Sequence, residues 1–160
     1  MLPRRDGLSL IELMIVVTML AILAAIAVPR LMDASQDARE SALATDLQML
    51  RRQIRLYTEQ HRGRGPHLGE DGQPDHANLQ ARMMGRTDED GKLSGTGVFG
   101  PYVKDWPTNP FCPDSIAGDV LFGTDSAPPR DGTTGWYYST DTRLVSPNSK
   151  TGGAEFDPQP

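Results

Sequence analysis

Gly7-Leu8-Ser9-Leu10-Ile11-Glu12-Leu13-Met14-Ile15-Val16-Val17-Thr18-Met19-Leu20-Ala21-Ile22-Leu23-Ala24-Ala25-Ile26-Ala27-Val28-Pro29 is the stretch on which the reading of this chain turns. Leu8 to Val28 is apolar except for Ser9, Glu12 and Thr18. As a helix rising about 1.5 Å per residue it reaches roughly 31 Å, the thickness of a bilayer's hydrocarbon core. Arg4 and Arg5 stand just before it. Positive residues stay in the cytoplasm, so the spacing predicts an N-terminus inside and the remainder of the chain outside. Arg30, on the far side, weakens that bias without reversing it.

Glu12 is the anomaly in this run. Its twelve Leu, Ile and Val residues contribute roughly −4 to −7 kcal/mol to insertion. A mid-span acid costs about 3 kcal/mol, and less near an end. The segment therefore inserts, but the carboxylate lacks a cation, since no Lys or Arg lies within the span. Cleavage between Gly7 and Leu8 would create one, as a new α-amino group on the same or a neighbouring chain.

Gly7 followed by Leu8-Ser9-Leu10-Ile11-Glu12-Leu13 resembles the processing site of type IV pilins and type II secretion pseudopilins: a short basic leader ending in Gly, then a Phe-Thr-Leu-Ile-Glu-Leu-like start to a hydrophobic helix. The resemblance implies cleavage after Gly7 by a membrane-embedded prepilin peptidase and N-methylation of Leu8. It also implies an assembly role for Glu12 and a helix bend at Pro29. Leu8 replaces the usual Phe, Ser9 replaces Thr, and Ala21 stands where many pilins carry a helix-softening Gly. The competing reading is an ordinary secretory signal, with Arg4 and Arg5 as its basic region and Ala25-Ile-Ala27 as its cleavage site. Against it, the apolar run is too long and contains an acid, and Pro29 would fall two residues past that cut.

Working outward, helical periodicity continues to about Arg62. Leu31, Ala34, Ala38 and Ala42 form one stripe, and Leu43, Leu47, Leu50, Ile54 and Tyr57 continue it in steps of four, three, four and three. That spacing predicts an amphipathic helix with one buried face, stopped at Gly63-Arg-Gly65-Pro66. Beyond it, residues 63–75 read as a loop, and residues 76–84 as a short helix capped by Asp75 and ended by Gly85. The strand candidates are Val98–Phe99, Tyr102–Val103, Val120–Phe122, Trp136–Thr140 and Arg143–Ser146, the last two forming a hairpin around Asp141-Thr142.

The expected organisation is a leader at 1–7, a transmembrane and filament-core helix at 8–29, an amphipathic stalk at 30–62, a small head at 63–146 and a flexible tail at 147–160. The fold class is α+β: a long N-terminal helix, membrane-spanning in its first half, packed on a small antiparallel β-sheet head.

The net charge of −5 becomes −6 if the leader with Arg4, Arg5 and Asp6 is removed. An acidic head is poorly suited to nucleic acid, which draws on clustered Lys and Arg. Cys112 is the only cysteine, so no intrachain disulfide forms; between Phe111 and Pro113 it reads as a partly buried structural thiol rather than a nucleophile. His61, His67 and His76, near Glu70, Asp71 and Asp75, match no zinc spacing and read as solvated surface. Gly95-Thr-Gly97-Val-Phe-Gly100 spells a dinucleotide fingerprint, but no apolar strand precedes it and Pro101 blocks a following helix. With no P-loop, serine elbow or paired-acid pattern, no enzyme is expected.

Phe99-Gly-Pro-Tyr102, Trp106-Pro-Thr-Asn-Pro-Phe111 and Gly135-Trp-Tyr-Tyr138 resemble head segments of major pseudopilins. The resemblance therefore implies a structural subunit of a type IV pilus-like filament, in the first instance a type II secretion pseudopilin. A type IV pilus or DNA-uptake minor pilin is the alternative within that family, and a membrane-anchored extracytoplasmic binding domain the rival outside it. The implied partners are prepilin peptidase, other pilin or pseudopilin subunits, an inner-membrane platform protein and an assembly ATPase. The implied location is the bacterial inner membrane, with the head in the periplasm, and then a filament. Pseudopilins often hold calcium in an acid-rich C-terminal loop. Here Asp141 is the only acid near the hairpin turn, with Glu155 and Asp157 in the tail, so the site is not carried over and no cofactor is expected.

Overall fold

The computed structural model describes residues 9–156. The order is a long helix α1 (Leu10–Gln60), a 3-10 turn (His76–Asn78) leading into α2 (Leu79–Met84), then β1 (Val120–Gly123), β2 (Trp136–Ser139), β3 (Val145–Pro147) and a final 3-10 turn (Ala154–Phe156). The chain divides into two compact units after Ala38.

In the first unit every described residue is exposed and helical after Ser9. Pro29 lies inside the helix. Lacking an N–H, it leaves the Ala25 carbonyl without its usual partner one turn earlier.

The second unit holds the core. Leu43, Leu47, Leu50, Ile54 and Tyr57 are the buried residues of α1, and they cluster with Leu79, Met83, Tyr102, Val103, Trp136, Tyr138 and Val145. The predicted stripe is thus buried from Leu43 onward, whereas its earlier members Leu31, Ala34, Ala38 and Ala42 are exposed. α2 buries Leu79 and Met83 on one face and ends at Gly85, whose N–H bonds the Ala81 carbonyl at 2.7 Å. Asp75 stands at the expected start but makes no side-chain cap. Its carboxylate is drawn away by the Asn78 amide at 2.9 Å and by the Arg82 guanidinium.

The sheet has the order β1-β2-β3. The hairpin β2–β3 is antiparallel, Tyr138 opposite Val145. β1 runs parallel to β2, Val120 opposite Trp136, so the sheet is mixed rather than wholly antiparallel. The connection, residues 124–135, is just long enough to return the chain to the start of a parallel neighbour. Every residue of β2 is buried. Gly135, just before it, lies against the Ala117 carbonyl where any Cβ would collide.

Two strand expectations fail. Phe99 makes only an isolated bridge to Thr87, which also bridges Leu93, and Val98 is 78% exposed. Tyr102 and Val103 both send their amides to the Met83 carbonyl, at 2.9 and 3.1 Å. That contact closes the end of α2 instead of extending a ladder, and Pro101 has no amide to offer one. The segment expected as a tail from residue 147 begins inside the packed head. Asn148 and Ser149 are fully buried, and Arg51 on α1 donates to the carbonyls of Val145 at 2.9 Å and Phe156 at 2.7 Å.

Candidate functional site

The first candidate is the start of α1. Helix amides lack partners in the first turn, so a helix begins where a side chain can supply one. Here Ser9 precedes the first helical residue, and its carbonyl accepts the Leu13 amide at 3.1 Å. Glu12, one turn in, reaches back to the Ser9 amide at 3.4 Å. This is the return half of a capping box. Farther along, the Thr18 hydroxyl is satisfied by the carbonyls of Met14 and Ile15 at 3.0 and 2.8 Å, so it adds no unpaired polar group to the apolar face.

The side chains around Glu12 are bare: Leu10 is 75% and Ile11 66% exposed. Among the described residues, α1 is the one helix long and apolar enough to cross a membrane, by length and composition. Of the sequence-predicted site residues, Glu12 and Pro29 both lie on α1, while Gly7 and Leu8 lie outside the described residues.

The second candidate is the histidine-bearing region of the head, and here the expectation of solvated surface is overturned for two of the three. His61 is fully buried, stacked on Tyr57 with ring centroids 3.8 Å apart. Its Nδ1 faces the Tyr57 carbonyl at 2.8 Å and therefore donates; Nε2 lies 2.9 Å from the Thr87 hydroxyl and accepts. His67, 6% exposed, pairs through Nδ1 with the Tyr138 hydroxyl at 3.0 Å. Burial, with His76, Arg143 and Arg82 nearby, lowers its pKa to about 4. His76 is exposed and stacks on Phe122. Aromatic neighbours, which no spacing rule forecasts, thus hold these rings as packing elements. No group of three or more His, Cys, Asp or Glu able to hold a metal occurs among the described residues.

Cys112 is partly buried, as expected, and burial pushes its thiol pKa up. The Gly95–Gly100 segment forms turns around Thr87, without the strand and helix a dinucleotide site needs. Near the hairpin, Asp141 is exposed. The acid that organises this part of the head is Asp131, which accepts from Thr133 and from Asn148 at 2.8 Å. Arg130 donates to the carbonyls of Gly152 and Gly153 at 3.3 and 2.7 Å. A guanidinium therefore satisfies carbonyls in the C-terminal loop. Sequence reasoning missed Asp131, Arg130 and the buried Arg82; the Asp131-Gly132 turn was the only local signal for any of them.

With that geometry in place, comparison with known proteins bears on the N-terminus. Residues 2–28 match the prokaryotic N-terminal methylation motif. The chain carries the prepilin-type signal of type IV pilins and pseudopilins. The match spans Arg4, Arg5, Gly7, Glu12 and the apolar run up to Val28, and ends before the head begins. No curated protein and no solved structure matches the chain significantly. Beyond the matched motif the chain has a long N-terminal helix, apolar in its first part, and a small α+β head.

Proposed function

We propose that this chain is a structural subunit of a type IV pilus-like filament, and within that class a type II secretion pseudopilin. Prepilin peptidase cuts after Gly7 and Leu8 becomes the methylated first residue. α1 holds the subunit in the bacterial inner membrane with the head in the periplasm, until a platform protein and a cytoplasmic ATPase drive it into a filament with other pilin or pseudopilin subunits. The subunit carries out no catalysis and takes no cofactor. Pro29 gives the helix a place to bend during that passage.

The observation that carries this proposal is Glu12: one carboxylate, exposed within an otherwise apolar helix start and inside the matched N-terminal methylation motif. In hydrocarbon an isolated charge is costly, and the amine released at Leu8 is the cation that relieves it. The pseudopilin assignment is supported by the aromatic segments that resemble major pseudopilins. They meet in the head, where Trp136 and Tyr138 are fully buried and the Trp136 indole donates to the Pro107 carbonyl at 2.9 Å.

Intact-mass and N-terminal analysis of the membrane-extracted protein tests the proposal. The expected species begins at methylated Leu8. A chain beginning after Ala27 would instead indicate a secreted binding domain, and a retained leader in cells that possess the peptidase would refute processing. In the same cells, Glu12→Ala should insert normally yet fail to enter filaments; normal incorporation would remove the role assigned to Glu12.

A further inference from the structure

Past the apolar span, α1 presents three charges in a fixed order. Arg30, Asp33 and Asp37 are exposed, and none belongs to an ion pair among the described residues. Spacings of three and four place them on one face of the helix. Arg30 is the only cationic side chain from Leu8 to Ala38. Leu23, Ile26 and Ala27 line an open groove with it on the side of the apolar run. From that run outward, the face offers apolar surface, then a cation, then an anion.

We propose that this face binds a zwitterionic phospholipid of the outer leaflet, its acyl chain along Leu23, Ile26 and Ala27, its phosphate on Arg30 and its primary ammonium on Asp33. The inference rests on the reading of α1 as a membrane anchor. Leu8–Val28 matches a hydrocarbon core about 30 Å thick, and each headgroup layer adds roughly 5–7 Å. Along the helix, Arg30 lies about 3 Å past Val28 and Asp33 about 7.5 Å, so both fall at headgroup depth. Asp37, about 13.5 Å past it, lies in water. A guanidinium meets phosphate oxygens through two parallel hydrogen bonds. In an ethanolamine headgroup two carbons separate the phosphate ester oxygen from the nitrogen, a reach that suits the step of about 4.5 Å from Arg30 to Asp33.

Other headgroups fit less well. An anionic lipid satisfies Arg30 but meets Asp33 and Asp37 as like charges, and two carboxylates outweigh one guanidinium. A choline headgroup carries three methyl groups on its nitrogen and donates no hydrogen bond to Asp33. These charges are partly screened, so they contribute to choice of partner more than to affinity. The site also fixes the depth of the helix. To sink inward, α1 would have to drag Asp33 into hydrocarbon, which is costly.

The test places the full chain in nanodiscs of ethanolamine, glycerol and choline phospholipids in equal parts, with identical acyl chains, and reads the retained lipids by native mass spectrometry. The wild-type chain should retain the ethanolamine lipid about threefold over either of the others, the size that partly screened charge pairs support. Asp33→Asn should abolish that preference, and Arg30→Gln should lower retention of all three lipids about threefold. Arg30→Lys should keep the preference, and Asp37→Asn should leave it unchanged. No preference in the wild type, or one that survives Asp33→Asn, would overturn the proposal. Equal effects of the two aspartates would overturn the assigned depth. A second chain on this face, seen as dimers that Arg30→Gln removes while lipid adducts persist, would also overturn it. Flotation with vesicles of the same three lipids separates the two readings. A chain that does not float fails the anchor reading itself, whereas one that floats and retains no preferred lipid fails only this site.

Discussion

Single side chains in this protein take their character from what surrounds them, and His67 shows it best. Its ring is buried against Tyr138, and its pKa of about 4 in the folded state lies below the ordinary value of 6.5. Between those values the unfolded chain binds a proton that the folded chain refuses, so stability rises with pH across the window. Contribution from this residue should be complete above about pH 6.5 and decline as pH falls toward about 4. Thermal melts of the detergent-solubilised protein from acid to neutral pH should show that slope, and His67→Gln should flatten it. An unchanged slope in the variant would assign the proton elsewhere. In sequence, His67 was a histidine in a polar loop. Its burial depends on Tyr138, seventy-one residues later, a partner no local pattern names. Glu12 is the opposite case: it stands out against its neighbours alone, because an acid in an apolar run is anomalous whatever the rest of the chain does.

At the scale of elements, α1 is one helix with two surfaces of different kinds. Leu47 is 1% exposed and Leu31 72% exposed, though both follow the same periodicity. Leu47→Ala should cost about 2–5 kcal/mol of head stability by leaving a cavity among close-packed neighbours, while Leu31→Ala should stay within about 0.5 kcal/mol. Denaturant melts of the two variants decide it, and equal costs would contradict the boundary near Leu43. The periodicity and the stop at Gly63 made this helix legible, as strong turn residues and β-rich runs made the β2–β3 hairpin. The parallel pairing of β1 was not legible. A four-residue run such as Val120–Gly123 carries no mark of direction, and its partner is chosen by a connection that the pattern of the run does not encode. The short runs at Val98 and Tyr102 failed for a related reason: their amides found nearer acceptors in Thr87 and Met83.

For the whole molecule, the division after Ala38 separates a segment whose surface requires a nonpolar or helical neighbour from one that buries its own core. Among the described residues, every buried hydrophobic one lies at or beyond Leu43. Removing residues 1–38 should therefore leave a soluble head with near-native aromatic circular dichroism and a melting temperature within about 3 °C of the full chain in detergent. A molten spectrum would show that the first unit contributes to the core. By itself the sequence determined what depends on neighbours along the chain: the processing signal, the membrane-length helix, the buried stripe and the hairpin. These follow from hydropathy and backbone period, which are local properties. Tertiary structure alone decided the parallel strand, the buried histidines, and the anchoring of the C-terminal segment by Arg51 and Arg130. Each of those joins residues far apart in the chain, and which distant donor meets which acceptor is settled only when the core has packed.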